Sequence, residues 1–186
     1  MTTQNDIRWP LQANAIRRGQ MGTFGMVRNE GTKPHHGWDL YALPGTICYA
    51  VGDGEVVVAH YSNSYGNQVD IKLDATFQGT EIYARYAHLS LFVAALQRGS
   101  RVKKGQVIGF TGNTGNAKTM KNIDQHLHFE FLRRIDPRSS SDGLADRFDP
   151  ADVYGVTPLG QTVFDPCFSM WEPNDGRTMP QRVVQG

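Results

Sequence analysis

The stretch Gln125-His126-Leu127-His128-Phe129-Glu130 constrains the fold of this chain more than any other. Polar and apolar residues alternate through it, which predicts a strand with both imidazoles and Glu130 on one face and Leu127 and Phe129 on the other. Two readings are open. Either this is a buried strand that happens to carry histidine, or it is a metal site in which one imidazole binds the ion and its neighbour reaches a bound water.

The rest of the sequence bounds the class. At 186 residues the chain suits one well-packed domain with an extension and is too short for two large ones. Its 20 glycines, 9 prolines and short runs of Val, Ile and Tyr predict a mainly β domain in which helix is a minority. With 19 Lys+Arg against 18 Asp+Glu there is no basic footprint for nucleic acid, so none is expected as a partner. No stretch approaches the roughly 18 consecutive apolar residues of a membrane span, so no transmembrane segment is expected. The polar start Met1-Thr2-Thr3-Gln4-Asn5-Asp6 lacks a basic segment followed by an apolar one, and no signal peptide is recognisable. Cys48 sits in an apolar run and reads as a small buried hydrophobe. A bridge to Cys167 stays open for a protein working outside the reducing cytosol.

Taken in order, residues 1–23 read as an extended N-terminal arm. His35 and Asp39 follow the turn at Lys33-Pro34; on extended chain, residues four apart share a face, and Gly37 between them permits close backbone approach. Asp53-Gly54 predicts a hairpin joining the strand around Cys48 to Glu55–Ala59. Residues 68–73 alternate as a strand with one wet face. A further strand over residues 80–89 puts Ile82, Ala84, Tyr86 and His88 on one face, and Ser90–Leu96 reads as a short helix closed by Gly99. A glycine turn at residues 112–115 and a polar loop over 116–125 precede the histidine strand. Residues 138–143 read as a linker, Asp149–Tyr154 as one helical turn, and the remaining tail has no clear periodicity.

Six histidines occur, at 35, 36, 60, 88, 126 and 128. By type and spacing, His35, Asp39 and His128 are the candidate metal ligands. Two imidazoles and a carboxylate, with a fourth position left to water, make a catalytic rather than a structural zinc arrangement. Zinc is the first choice of metal, with other divalent ions open in vitro. His36 points away from His35 on extended chain, and His60 ends a strand; neither is expected at the metal.

His35-x-Gly37-x-Asp39, Tyr86-Ala87-His88-Leu89, Gly112-Asn113-Thr114-Gly115 and His126-Leu127-His128-Phe129-Glu130 follow one another in an order and spacing that resemble the lysostaphin/LytM-type zinc metallopeptidases, which cut peptidoglycan peptides. Tyr65-Gly66-Asn67 and Val102-x-Lys104-Gly105-Gln106-x-Ile108-Gly109 fit the same pattern. The resemblance implies a metallopeptidase domain over residues 24–137, built as a single antiparallel sheet or sandwich with short helices, and a C-terminal extension over 138–186. It implies one Zn2+ held by His35, Asp39 and His128, with His88 and His126 as catalytic histidines outside the ligand set. His126 is then the candidate general base and His88 the candidate stabiliser of the tetrahedral intermediate, with the two roles interchangeable. Glu130 is a candidate to orient a ligand imidazole, against a structural carboxylate, and Tyr86 a candidate for the groove, against simple packing.

The expected activity is a DD-endopeptidase acting on peptidoglycan cross-links, with D-alanyl-diaminopimelate bonds ahead of glycyl-glycine bridges. Action in the periplasm or cell wall follows. Delivery by type VI secretion as an antibacterial effector is expected ahead of a phage lysis enzyme, and an effector implies a cognate immunity protein. Rival readings are a non-catalytic relative that activates an amidase, disfavoured because all three ligands and both further histidines are present, and a biotinyl-carrier-like domain, which would leave the histidines without a use.

Overall fold

The computed structural model describes residues 7–17, 20–135, 144–158, 168, 169 and 171–173. Its strands are β1 (Ile16–Arg17), β2 (Gly25–Arg28), β3 (Lys33–His35), β4 (Trp38–Tyr41), β5 (Ile47–Tyr49), β6 (Gly54–Ser62), β7 (Gly66–Phe77), β8 (Thr80–Phe92), β9 (Arg101–Val102), β10 (Val107–Thr111), β11 (His126–Leu132) and β12 (Arg147–Phe148), followed by the single-turn helix α1 (Pro150–Tyr154). Most of them join one antiparallel sheet in the order β1-β4-β11-β8-β7-β6-β9, with β10 bridging β8 to β5 and β12 paired to the end of β11. β2 and β3 form a separate hairpin.

β11 sits between β4 and β8. His128 faces Asp39 on one side and Ala87 on the other, and Phe129 faces Trp38 and Tyr86. Because side chains alternate, this one register sends Leu127, Phe129 and Phe131 to the same face as Trp38, Leu40, Ala84 and Tyr86, all fully buried. The aromatic rings there meet edge to face: Tyr86 and Phe129 lie 5.2 Å apart, Phe129 and Phe131 4.9 Å. The opposite face is left for His126, His128 and Glu130. Gly37 makes the approach of β4 feasible, since a Cβ there would overlap the Phe129 carbonyl oxygen and crowd Glu130.

The core extends into both flanking segments. Leu11 and Ile16 from the N-terminal side, and Phe148, Val153 and Val156 from beyond residue 143, belong to it. Trp9 stacks on Tyr154 at 4.1 Å and on Trp38 at 5.5 Å, tying the two flanks to each other over β4. Helix α1 forms as the sequence suggests: Asp149 caps it by accepting from the Ala151 N–H at 2.8 Å, Pro150 opens it, and Gly155 ends it at φ +63°.

Three local expectations are corrected. Asp53-Gly54 does not close a hairpin, because β5 pairs with β10 while β6 pairs with β7 and β9. The Asp53 carboxylate instead accepts from the Lys104 N–H and Lys103 Nζ, both at 2.8 Å, so the Asp-Gly chemistry serves a crossing between strands. Ser90–Leu96 is not helical; β8 continues to Phe92, where pairing with β10 supplies the backbone partners that a helix would have supplied internally. The polar face of residues 68–73 is wet only at Lys72. Gln68 and Asp70 are buried, and Arg85 of β8 satisfies the Asp70 carboxylate. The tail after Pro158 and the linker over 138–143 fall largely outside the described residues.

Gly37→Ala is expected to destabilise the protein by about 3 kcal/mol or more, because the clash is with backbone that has no rotamer to give. Urea denaturation checks this; a variant as stable as the parent would mean that β4 does not lie so close to β11.

Candidate active site

Three donors converge where β3, β4 and β11 meet. His35 Nε2 lies 3.0 Å from Asp39 Oδ1 and 3.2 Å from His128 Nδ1, and His128 Nδ1 lies 2.9 Å from the same Oδ1. Their ligand atoms all fall within 4.8 Å of one another. Asp39 arrives by its register opposite His128, and His35 by the tight passage through Gly37.

The second nitrogen of each ring is already engaged. His35 Nδ1 lies 2.8 Å from the Thr23 carbonyl, His126 Nδ1 2.7 Å from the Asp124 carbonyl and His88 Nδ1 3.0 Å from the Thr114 carbonyl. A carbonyl only accepts, so each of these Nδ1 atoms carries the proton and leaves Nε2 for the site. His128 is turned the other way: Nε2 donates to Glu130 Oε1 at 2.9 Å, and Nδ1 faces the ligand cluster.

His88 reaches this face by breaking the alternation of its strand. Strict periodicity would place it with Tyr86. Between Tyr86 and Leu89 the register against β7 shifts, and His88 adopts φ +60°, a left-handed conformation rare for a residue with a Cβ. Its ring then lies edge to face with His126 at 5.3 Å and 5.9 Å from His128. The glycine turn at residues 112–115 is built for this. A Cβ on Gly115 would overlap Gly66, so the turn packs directly on the start of β7, and the Thr114 hydroxyl donates to the Leu89 carbonyl while accepting from the Asn67 N–H.

The electrostatics favour a cation. Burial alone would raise the Asp39 carboxyl, but the imidazoles of His126, His35 and His128 outweigh it and hold it well below the usual range. Burial opposes charge on His128, yet Asp39 and Glu130 push its pKa up to about 9, so the pocket stabilises a positive species at that imidazole; a divalent ion on Nδ1 would take the proton's place. Burial, with the neighbouring imidazoles of His128 and His126, lowers His88 to about 3 and keeps it neutral. The donor set and its surroundings fit zinc.

Several polar partners of the site were not legible as such. Arg28 donates to Asp39 Oδ2, the oxygen turned away from the histidines, and its Nε donates to the Met21 carbonyl at 3.2 Å. Arg85, Asp70 and Arg147 lie behind Glu130, and the half-buried Tyr65 ring lies 5.7 Å from His128. Each is an ordinary arginine, aspartate or tyrosine in the sequence, and only the antiparallel register brings it here.

Tyr86, expected at the groove, is on the core face. It is fully buried, its hydroxyl donates to the Tyr49 carbonyl at 3.0 Å and accepts from the Val51 N–H at 3.0 Å, and it packs on Phe129. The bulge at His88 is the reason, since it separates two residues that simple alternation puts together. His36 is outside the donor cluster, its Nε2 buried without a hydrogen-bond partner among the described residues, and burial together with Arg147 lowers its pKa to about 4. His60 is exposed. Cys48 is buried, and burial pushes its thiol pKa up; Cys167 lies outside the described residues.

Residues 33–140 match the sequence profile of peptidase family M23, more than half of the chain, and the chain belongs to that family. It is 38% identical over 105 residues to the peptidoglycan DD-endopeptidase ShyA of Vibrio cholerae, covering 56% of this chain and 21% of that protein. It is 36% identical over 97 residues to the glycyl-glycine endopeptidase ALE-1 of Staphylococcus capitis, covering 52% of this chain and 24% of that protein. Among solved structures, the catalytic domain of lysostaphin from Staphylococcus simulans aligns with a TM-score of 0.51 at 26% identity, over 79% of this chain and 91% of that one. A zinc-containing peptidase from Vibrio cholerae aligns with a TM-score of 0.51 at 27% identity, over 74% and 41%. The chain thus spans less than a quarter of the length of the two curated relatives.

Tyr86→Phe is expected to lower stability by about 1–3 kcal/mol, since it leaves a buried N–H and carbonyl short of a partner, while zinc affinity and turnover stay as in the parent. Chemical denaturation beside a zinc titration checks both halves.

Proposed function

We propose that this chain is a zinc-dependent peptidoglycan endopeptidase that hydrolyses peptide cross-links, with the D-alanyl-diaminopimelate bond ahead of the glycyl-glycine bridge. One observation carries the reading: the ligand atoms of His35, Asp39 and His128 converge while His88 and His126 stand beside them with Nδ1 engaged and Nε2 left for the reaction. Zinc held by His35 Nε2, Asp39 Oδ1 and His128 Nδ1 would supply Lewis-acid polarisation of the scissile carbonyl and make hydroxide available near neutral pH.

The chain's own groups do the remaining work. Burial holds His88 neutral, and with its Nδ1–H donated to the Thr114 carbonyl its Nε2 faces the site as an acceptor, although the same burial makes that nitrogen a weak base. His126 Nε2 lies 3.4 Å from Asp39 Oδ1, which places this ring beside the ligand set and the reacting groups. Both rings present Nε2 to the site, so the roles of base and of oxyanion stabiliser stay interchangeable between His88 and His126. Arg28, anchored to Met21, keeps Oδ2 of Asp39 occupied so that Oδ1 faces the imidazoles. The choice of bond rests on the DD-endopeptidase relative, and action at the wall follows from the substrate.

The test is digestion of purified sacculi with products identified by mass. Zinc-loaded wild type is expected to release cut D-alanyl-diaminopimelate cross-links and to stop when the metal is chelated. His128→Ala is expected to lose zinc, whereas His88→Ala should keep it and fall in kcat by about 100-fold or more. Intact cross-links with zinc-loaded wild type would overturn the reading, and faster cutting of glycine bridges would reverse the bond order. Expression with an added export signal is expected to lyse cells, as an antibacterial effector or lysis enzyme reaching the wall must.

A further inference from the structure

The family match ends at residue 140, yet a residue beyond it holds the carboxylate behind His128. Arg147 of β12 is buried and donates its Nε to Glu130 Oε2 at 3.0 Å. Its place is fixed by packing. Leu132 pairs with Arg147 and Phe131 with Phe148, so Arg147 shares the face of Glu130 while Phe148 enters the core edge to face with Phe77 at 5.0 Å. A second guanidinium is near, but Arg85 is committed elsewhere. It grips Asp70 through Nε at 3.0 Å and Nη2 at 2.8 Å, and its Nη1 is 3.6 Å from Glu130 Oε2.

The two oxygens of Glu130 therefore have different tasks. Oε2 lies against the guanidinium groups, and Oε1 accepts the proton of His128 Nε2. We propose that Arg147 is a positioning residue of the metal centre: by holding Oε2 it aims Oε1 at His128 Nε2 and so fixes that ring with Nδ1 on the ligand side. The inference rests on the reading of His128 as a zinc ligand. It makes the segment after the family match part of the centre. Without Arg147 the carboxylate keeps only the longer Arg85 contact and the Tyr65 hydroxyl, which hold its terminal torsion less tightly, and the acceptor that selects the imidazole's tautomer is less firmly aimed.

The test uses the full chain with Arg147→Met, Arg147→Lys, Glu130→Gln and the double variant Arg147→Met/Glu130→Gln. Zinc affinity is read by competition with a chromophoric chelator, the ligand field by the visible spectrum of the Co2+ form, and folding by circular dichroism. Arg147→Met is expected to bind zinc about 10–100-fold more weakly, the range for a residue that orients a ligand, with a changed Co2+ spectrum and Arg147→Lys in between. In the Glu130→Gln background the same substitution is expected to add less than about threefold, because the two act through one hydrogen bond. A folded Arg147→Met with parental affinity and spectrum would overturn the proposal, as would a loss of equal size in both backgrounds, the mark of a merely structural role. Should the methionine variant not fold, Arg147→Lys alone and with Glu130→Gln carries the same comparison, and parental affinity or equal losses there overturn it. Wild type that binds no zinc would instead overturn the reading of the ligand set.

Discussion

Pairing of β11 between β4 and β8 is the constraint on which the rest of this structure hangs. The side-chain period of a strand is two, so one register decides at once which residues pack the core and which face the site. A slip of one residue would turn His126, His128 and Glu130 into the aromatic core and expose Leu127, Phe129 and Phe131. Both alternatives are costly, since large apolar surface would return to water and three ionisable groups would lose their partners. The register is further pinned at Gly37, where β4 approaches so closely that no side chain fits. The geometry of the site is thus a by-product of core packing.

A face that buries His35, His88, His126, His128 and Glu130 must pair them, because a buried charge or an unsatisfied polar group costs several kcal/mol. The partners come from separate parts of the chain: carbonyls of Thr23, Thr114 and Asp124, the carboxylate of Asp39 and the guanidinium of Arg147. Each partner that satisfies one ring nitrogen also selects which nitrogen is left. Solving the burial problem and presenting ligands are here one arrangement, and it explains why a glycine turn far from the histidines in sequence packs so tightly on the start of β7.

Much of this was legible in the sequence, and the failures have physical reasons. The alternation around His126 and His128 reports its own two faces, and Gly37 between His35 and Asp39 signals the close approach that the fold uses. The mainly β class and the turn at Asp149–Tyr154 are local properties and were readable too. Asp53-Gly54 misled because turn chemistry specifies a bend and not which strands pair across it. Ser90–Leu96 misled because helical capping signals yield to an available strand edge on β10. Arg28, Arg85 and Arg147 gave no signal, since an arginine looks the same in sequence whether it faces water or a buried carboxylate. The ties of Trp9 to Tyr154 likewise join residues that no local pattern relates.

Tyr86 and His88 mark where the periodic rule stops. Alternation puts them on one face; the structure sends Tyr86 into the core and His88 to the candidate ligand cluster through a residue held at φ +60°. Such a conformation costs about 1–3 kcal/mol and persists only where surroundings over-determine it. They do so here: the His88 N–H donates to the Tyr65 carbonyl at 2.7 Å, its Nδ1 to Thr114, and Leu89 returns to the core immediately after. A regular strand would have left that face with His35, His126 and His128. Strain at one residue is what adds the fourth imidazole to that face, and the departure from local preference falls on a side chain of the candidate site rather than on the packing around it.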